Sequence, residues 1–194
     1  MTWYNVAMPE WIDTKTLFLI GHLLGIALGA GGAFMADGLF LKSVRDGVLS
    51  RGEFGVLVFA SHVITAGLLL LIISGSALFS LEAERYLAST KFLAKMTVVA
   101  VLTINGVFLH TSLIPRMREA VGKSLRKKDF AGLRTTLLAS GAVSLVSWIS
   151  AIVLGAFKVI PLPYATIVGI YALAVMGAVS VALFLGTRIV FGRR

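Results

Sequence analysis

The sequence predicts an all-α integral membrane bundle of five transmembrane helices, with the N-terminus outside and the C-terminus in the cytoplasm. Apolar residues make up 58% of the 194-residue chain and charged residues only 14%, whereas about a quarter of a soluble domain is charged. Five long stretches contain no Asp, Glu, Lys or Arg. Each is long enough to cross a hydrocarbon core of roughly 30 Å as a helix, in which the backbone satisfies its own hydrogen bonds.

Proline residues mark two of the predicted helix ends. The helices are expected at about 15–41, 54–81, 92–115, 133–158 and 163–190, within one transmembrane domain that spans 1–194. Pro115 should end the third helix, and Pro161 and Pro163 should form a tight turn between the fourth and the fifth. Between the third and fourth helices we expect a basic cytoplasmic loop at 116–134.

The distribution of Lys and Arg predicts the orientation. Thirteen of the 18 basic residues lie on the side that holds the connections after the first and third helices and the C-terminal tail, and the other five lie toward the opposite side. Short cytoplasmic connections are enriched in basic residues, so we expect the connections that carry them on the cytoplasmic side. The expected location is the cytoplasmic (inner) membrane of a bacterium. The net charge of +9 then meets anionic lipid, and nucleic acid is not an expected partner. The thirteen are Lys42, Arg45, Arg51, Arg116, Arg118, Lys123, Arg126, Lys127, Lys128, Arg134, Arg188, Arg193 and Arg194.

Small and aromatic residues predict how the bundle packs and where it meets the membrane surface. Gly21, Gly25 and Gly29 lie on one face of the first helix, where a neighbouring backbone can approach closely. We therefore predict a packing seam along this face. Aromatic side chains before the first helix and at the start of the fifth, all on the outer side, are expected to anchor the bundle in the headgroup layer. They are Trp3, Tyr4, Trp11 and Tyr164.

Few ionisable or amide side chains fall deep within the predicted spans. They are His22, Asp37, His62, Asn105 and His110, and an ionisable side chain inside a bilayer costs a few kcal/mol on insertion scales. The absence of cysteine excludes disulfides, thiolate metal sites and iron–sulfur clusters built from this chain. No His-x-x-x-His or Glu-x-x-His pattern predicts a metal site.

His62 and His110 are predicted to lie at similar depth. Counted from the helix ends, they are roughly 12 Å and 8 Å below the cytoplasmic surface. Small residues beside each would leave room for a flat ring, and two neutral imidazoles are a common axial pair for b-type heme. The plainer interpretation is that each histidine hydrogen-bonds to a neighbouring helix. The basic residues that could bind the heme propionates are Arg45, Arg51, Arg116 and Arg118.

Two segments carry a resemblance to a known group of proteins. They are His22 with the glycine run 29–32, and "KFLAKMTVVAVLTINGVFLH", which contains Lys95 and ends at His110. They resemble small bacterial membrane proteins of the copper-resistance-protein-D-like and HemJ-type protoporphyrinogen oxidase group. The resemblance implies a helical bundle that binds heme b, with His22 or His110 as ligand and Lys95 as a functional lysine. The chain departs from this group because it has no Trp beside the first-helix glycines.

Three functions remain open at this stage. The first is binding of one b-type heme for electron transfer or heme-linked oxidation, with a redox partner. Three histidines cannot supply the four axial bonds of a di-heme carrier. The second is a transporter or channel for a proton, metal ion or small solute, lined by His22, Asp37 and Asn105, although Asp37 is also explained by pairing with an arginine. The third is a non-catalytic subunit or assembly factor of a larger membrane complex.

Overall fold

The chain folds as a bundle of five helical spans that are long and apolar enough to cross a membrane, as the sequence predicts. The computed structural model describes residues 13–125 and 127–191, with 187–191 as backbone alone. Trp3, Tyr4 and Trp11 therefore lie outside the described residues. In chain order the elements are α1 (Thr14–Asp46), α2 (Arg51–Leu81), α3 (Ala83–Leu87), α4 (Thr90–Phe108), a π-helical turn (Leu109–Leu113), α5 (Ile114–Ala120), a 3-10 turn (Lys128–Phe130), α6 (Ala131–Ala156) and α7 (Tyr164–Phe191).

The outer surface of the bundle is apolar. Phe59, Ile73, Ile104 and Leu173 each expose between 65% and 69% of their surface, and they lie on three different spans. Soluble monomers rarely expose contiguous apolar patches beyond a few hundred Å². These side chains face lipid, and the chain is a multi-pass membrane protein.

The sharp connection between α1 and α2 follows from local capping. Gly47 ends α1 with φ 82°, a left-handed conformation that glycine adopts without steric cost. Ser50 then caps α2, because its hydroxyl accepts from the Glu53 backbone N–H while the Glu53 carboxylate accepts from the Ser50 backbone N–H. Only two residues, Val48 and Leu49, separate these caps, so α1 and α2 form an antiparallel hairpin.

Pro115 does not end the third span, contrary to the prediction. The chain passes through the π turn Leu109–Leu113 and remains helical to Ala120. Proline has no N–H, and its ring crowds the carbonyl four residues earlier, here that of Thr111. The wider π turn accommodates this crowding and contains His110. The basic loop expected at 116–134 is shorter at both ends, since α5 reaches Ala120 and α6 begins at Ala131.

One end of the bundle, which we call the basic end, holds the α1–α2 connection and residues 121–125 and 127–130. An isolated bridge pairs Val48 with Ser124. The N–H of Gly122 donates to the Leu49 carbonyl at 2.8 Å, and the N–H of Leu125 donates to the Gly47 carbonyl at 2.8 Å. These bonds hold the two connections together.

The opposite end, the N-terminal end, holds the start of α1, the segment 82–89 and the α6–α7 connection. Lys15 pairs with Glu82. The Lys91 ammonium donates to the Phe157 carbonyl at 2.5 Å, and the Thr90 hydroxyl donates to the Leu162 carbonyl at 3.1 Å. Successive connections therefore alternate between the two ends, as five crossings require.

Glycines bring α1 and α2 into close contact, as the predicted seam requires. A Cβ added to Gly67 would lie 2.5 Å from the Gly29 backbone nitrogen, and one added to Gly25 would lie 2.9 Å from the Gly67 carbonyl oxygen. On the other side of α1, a Cβ at Gly29 would lie 2.2 Å from Cη2 of Trp148. Gly29 therefore lets α1 pack against both α2 and the indole of α6.

Polar side chains join the remaining spans. The Asn105 amide donates to the Ser140 carbonyl at 3.0 Å, and the Ser140 hydroxyl donates back to Asn105 Oδ1 at 3.0 Å. Ser147 and Tyr171 share a hydrogen bond of 2.8 Å between α6 and α7. Such pairs satisfy polar groups that lipid cannot solvate. Asn105 thus serves packing between α4 and α6.

Candidate functional site

A cavity of about 550 Å³ lies between α1, α2, α4 and α6 near the N-terminal end. We call it the His22 cavity. Its wall is largely apolar and includes two nitrogen-bearing ionisable side chains, His22 from α1 and Lys95 from α4. Sites for small molecules and cofactors span roughly 300–1,000 Å³ and combine an apolar wall with a few polar groups. The His22 cavity has both properties.

Ser74 determines which ring nitrogen of His22 carries the proton. The Ser74 hydroxyl lies 2.6 Å from the Leu70 carbonyl and 3.1 Å from His22 Nδ1. Its single hydrogen is donated to that carbonyl, so the oxygen accepts from the Nδ1–H of His22. The neutral imidazole then has a free lone pair on Nε2. This is the arrangement of a metal-binding histidine, whose other nitrogen donates to a neighbouring group.

Gly75 gives the His22 imidazole its position against α2. A Cβ at Gly75 would lie 3.4 Å from Cε1 of the ring, which is tighter than ordinary contact. The ring is half-buried and lies on the wall of the cavity. One face of α2 therefore supplies both the hydrogen-bond acceptor and the space that the imidazole needs.

Lys95 supplies a positive charge to the same cavity. Its ammonium makes no hydrogen bond or ion pair with any residue that the structure describes, and Gly155 of α6 leaves room for it, since a Cβ there would lie 3.7 Å from Nζ. A cation with no anionic partner in a largely apolar wall is suited to a ligand that carries a carboxylate.

Aromatic side chains close the N-terminal end of the cavity. Phe79 and Phe92 stack with their ring centroids 5.6 Å apart, and Tyr86 lies 5.0 Å from Phe92. Trp148 forms part of the wall deeper in the bundle and is 1% exposed, and its indole N–H has no partner among the described residues. A buried donor without an acceptor is rare in folded proteins.

His62 and His110 lie side by side between α2 and the π turn. Their ring centroids are 6.2 Å apart and their planes make an angle of 47°. The prediction of similar depth agrees with this distance. His62 is exposed on the lipid-facing surface and His110 is half-buried.

Thr65 occupies the ring nitrogen that His110 would use to bind iron. The Thr65 hydroxyl lies 2.8 Å from the Ser61 carbonyl, to which it donates, and 2.8 Å from His110 Nε2. It therefore accepts from the Nε2–H of His110, which leaves the lone pair on Nδ1. The geometry of His110 thus matches the plainer interpretation, a histidine bonded to a neighbouring helix.

The predicted propionate-binding arginines lie at the basic end, away from the His22 cavity. Arg45 lies in the last turn of α1, Arg51 begins α2, and Arg116 and Arg118 are on α5. All four side chains are exposed. Across the described residues, no three His, Asp or Glu side chains come together as a metal site.

Asp37 lines a second, separate cavity. This chamber measures about 80 Å³ and lies between α1, α2, the third span and α6. Asp37 is fifteen residues beyond His22 on α1, or about 22 Å along the helix axis. Ala30, Ala33 and Leu102 pack with Trp148 as an apolar cluster in this interval. The structure therefore does not join His22 and Asp37 in one polar path, and Asn105 is bonded to Ser140.

The sequence alone did not predict Ser74 and Trp148 as residues of the site. A signal for Ser74 was present, because His22 is eight residues from the start of α1 and Ser74 is seven residues from the end of α2. In an antiparallel hairpin these positions have the same depth. No comparable signal marks Trp148, whose contact with Gly29 depends on how α6 packs against α1.

Comparisons with protein-family models, with functionally characterised proteins and with solved structures find no match to this chain. The resemblance to the HemJ-type group remains a prediction. The functional argument therefore depends on the side chains of the His22 cavity.

Proposed function

We propose that this chain binds one b-type heme in the His22 cavity and serves electron transfer or heme-linked oxidation in the inner membrane of a bacterium. The observation that carries the proposal is the Nε2 lone pair of His22 on the wall of a large apolar cavity. Neutral imidazole is a standard axial ligand of heme iron. The excess of basic residues at one end supports a cytoplasmic basic end and an outer N-terminus.

The chemistry of the cavity wall suits a tetrapyrrole. A porphyrin is flat, largely apolar and carries carboxylates at one edge. The apolar wall would cover the macrocycle, and Lys95 would pair with a propionate. The arginines predicted for that role lie at the basic end. When bound, heme iron supplies one-electron chemistry.

The residues of this chain would hold and tune such a group. His22 binds through Nε2, and Ser74 keeps the imidazole oriented and in the correct tautomer. Lys95 fixes the direction of the carboxylate edge, while the low-polarity wall limits the access of water. His62 and His110 are less suited, because Thr65 accepts from Nε2 of His110.

The test is the visible absorbance and heme content of purified protein from heme-replete cells. The wild type should show the bands of b-type heme, and His22→Ala should lose them. The matched controls His62→Ala and His110→Ala should retain the heme. A colourless wild type that stays colourless with added hemin contradicts the proposal. Loss of the bands in His110→Ala, with retention in His22→Ala, would move the site to the other pair.

A further inference from the structure

The Asp37 chamber contains a carboxylate oxygen without a partner. Oδ2 of Asp37 is buried and has no hydrogen-bond partner in the described part of the chain. Asp37 lies five residues before Lys42, which places it about 7 Å inside the first charged residue at the basic end. An isolated carboxylate in such surroundings is costly unless a positive charge compensates it.

The described side chains around the chamber do not supply that charge. Among the described residues that line the chamber, Asp37 is the one ionisable side chain, and no Lys, Arg or His joins it from α1, α2, the π turn, α5 or α6. The expected pairing of Asp37 with an arginine is therefore not formed within these residues. No side chain among the described residues supplies the compensating charge, which leaves a bound species to provide it.

The chamber has the size and the oxygen atoms for a small hydrated species. A volume of about 80 Å³ has room for several water molecules, since one needs roughly 10–15 Å³ of such space. Ser61 and Ser144 line the same space. The Ser61 hydroxyl donates to the Val58 carbonyl at 2.7 Å and keeps its lone pairs, while that of Ser144 bonds to no described residue.

Gly141 keeps the chamber open. A Cβ at this position of α6 would lie 3.0 Å from Oδ1 of Asp37. The π turn contributes Leu109 to the chamber wall, next to Ile114 of α5. Such turns are frequent at functional sites.

From these contacts we propose that the Asp37 chamber binds a single monovalent positive charge, a proton or a hydrated alkali-metal ion such as Na⁺. Asp37 provides the charge, and Ser61, Ser144 and ordered water provide neutral oxygens. The site is independent of the His22 cavity, because the apolar cluster around Trp148 lies between them.

Infrared difference spectroscopy in lipid nanodiscs tests the proposal and separates the two occupants. Wild type and Asp37→Asn are compared in sodium chloride and in choline chloride. A protonated-acid band that is lost in Asp37→Asn and is the same in both salts identifies a proton. A band present in choline chloride and lost when sodium is added identifies the alkali-metal ion.

Bands of an ionised Asp37 that do not change with sodium or proton concentration would overturn the proposal. Gly141→Ala supplies a second variant, since its Cβ should narrow the chamber and reduce the response to sodium or to protons. Gly132→Ala on the same helix is the matched control, because a Cβ there meets open space. Heme content in all these variants should equal that of the wild type, which separates this test from that of the His22 cavity.

Discussion

The hydroxyl of Ser74 lies 3.1 Å from Nδ1 of His22 and directs its own hydrogen to the Leu70 carbonyl. The same arrangement occurs between Thr65 and His110, but there the hydroxyl meets Nε2. Two membrane-embedded histidines are thus held in opposite tautomers by hydroxyl groups of one helix, α2. The difference decides which imidazole can offer Nε2 to iron.

Removing the Ser74 hydroxyl should weaken heme binding. Partners that orient a metal-binding histidine typically contribute 10–100-fold to metal affinity, so Ser74→Ala should lower heme affinity by about this factor. Hemin titration of the heme-free protein, followed by absorbance, measures the change. Thr65→Val is the control, since it removes the hydroxyl beside His110 and should leave hemin affinity unchanged. The reverse pattern would assign the heme to His110.

Gly29→Ala should destabilise the bundle, whereas Gly31→Ala should not. At Gly29 the new methyl group would lie 2.2 Å from the Trp148 ring, which is 1% exposed and cannot move aside easily. At Gly31 a Cβ meets no atom within 4 Å. Overpacking of this kind costs about 1–3 kcal/mol. Thermal unfolding in detergent measures it, and equal midpoints for the two variants would show that Trp148 does not pack against α1 as described.

The ion pairs of Glu82 should make stability depend on pH. Hydrogen bonds from Lys15 and from Arg85 hold the pKa of the Glu82 carboxyl below its ordinary value of 4.5. A lowered folded-state pKa stabilises the protein above pH 4.5, and this contribution is lost as the pH falls through the folded pKa. The carboxylate is exposed to solvent, so the effect should be small.

The measurement is the unfolding midpoint of wild type and Glu82→Gln between pH 7 and pH 3. Glu82→Gln should melt slightly lower at pH 7, and the two curves should converge in acid. Glu84→Gln on the same short helix α3 is the control and should follow the wild type at every pH. A constant difference between Glu82→Gln and wild type down to pH 3 would show that the charge of Glu82 is not involved.

Single-cysteine variants test the proposed orientation, because the chain contains no cysteine of its own. Glu84→Cys lies at the N-terminal end and Lys123→Cys at the basic end. In intact bacterial cells a membrane-impermeant maleimide should label Glu84→Cys, and it should label Lys123→Cys only after lysis. Labelling of both positions from the same side would contradict five crossings, and an exchange of the two results would invert the orientation.

Composition and the spacing of glycines were sufficient to predict the five spans and the packing seam of α1. Gly25 and Gly29 predicted where α1 and α2 approach, since small side chains act through their spacing on one helix. The prediction that Pro115 ends the third span was wrong, because the π turn before it relieves the steric conflict of the proline ring. Nothing in the sequence indicates that a π turn forms there. The choice of His62 and His110 as a heme pair stays a prediction, which depended on their similar depth. Depth follows from counting residues, but the rotation of each helix about its axis, and so the partner of each imidazole, follows from packing.

The bridge between Val48 and Ser124 has a consequence for how the protein is made. During synthesis the α1–α2 hairpin is made before residues 121–125. Until the third span has inserted, the carbonyls of Gly47 and Leu49 lack the partners that Leu125 and Gly122 later provide. The turn of the first hairpin can therefore complete these hydrogen bonds only after the third span has brought residues 121–125 back to the same end of the bundle.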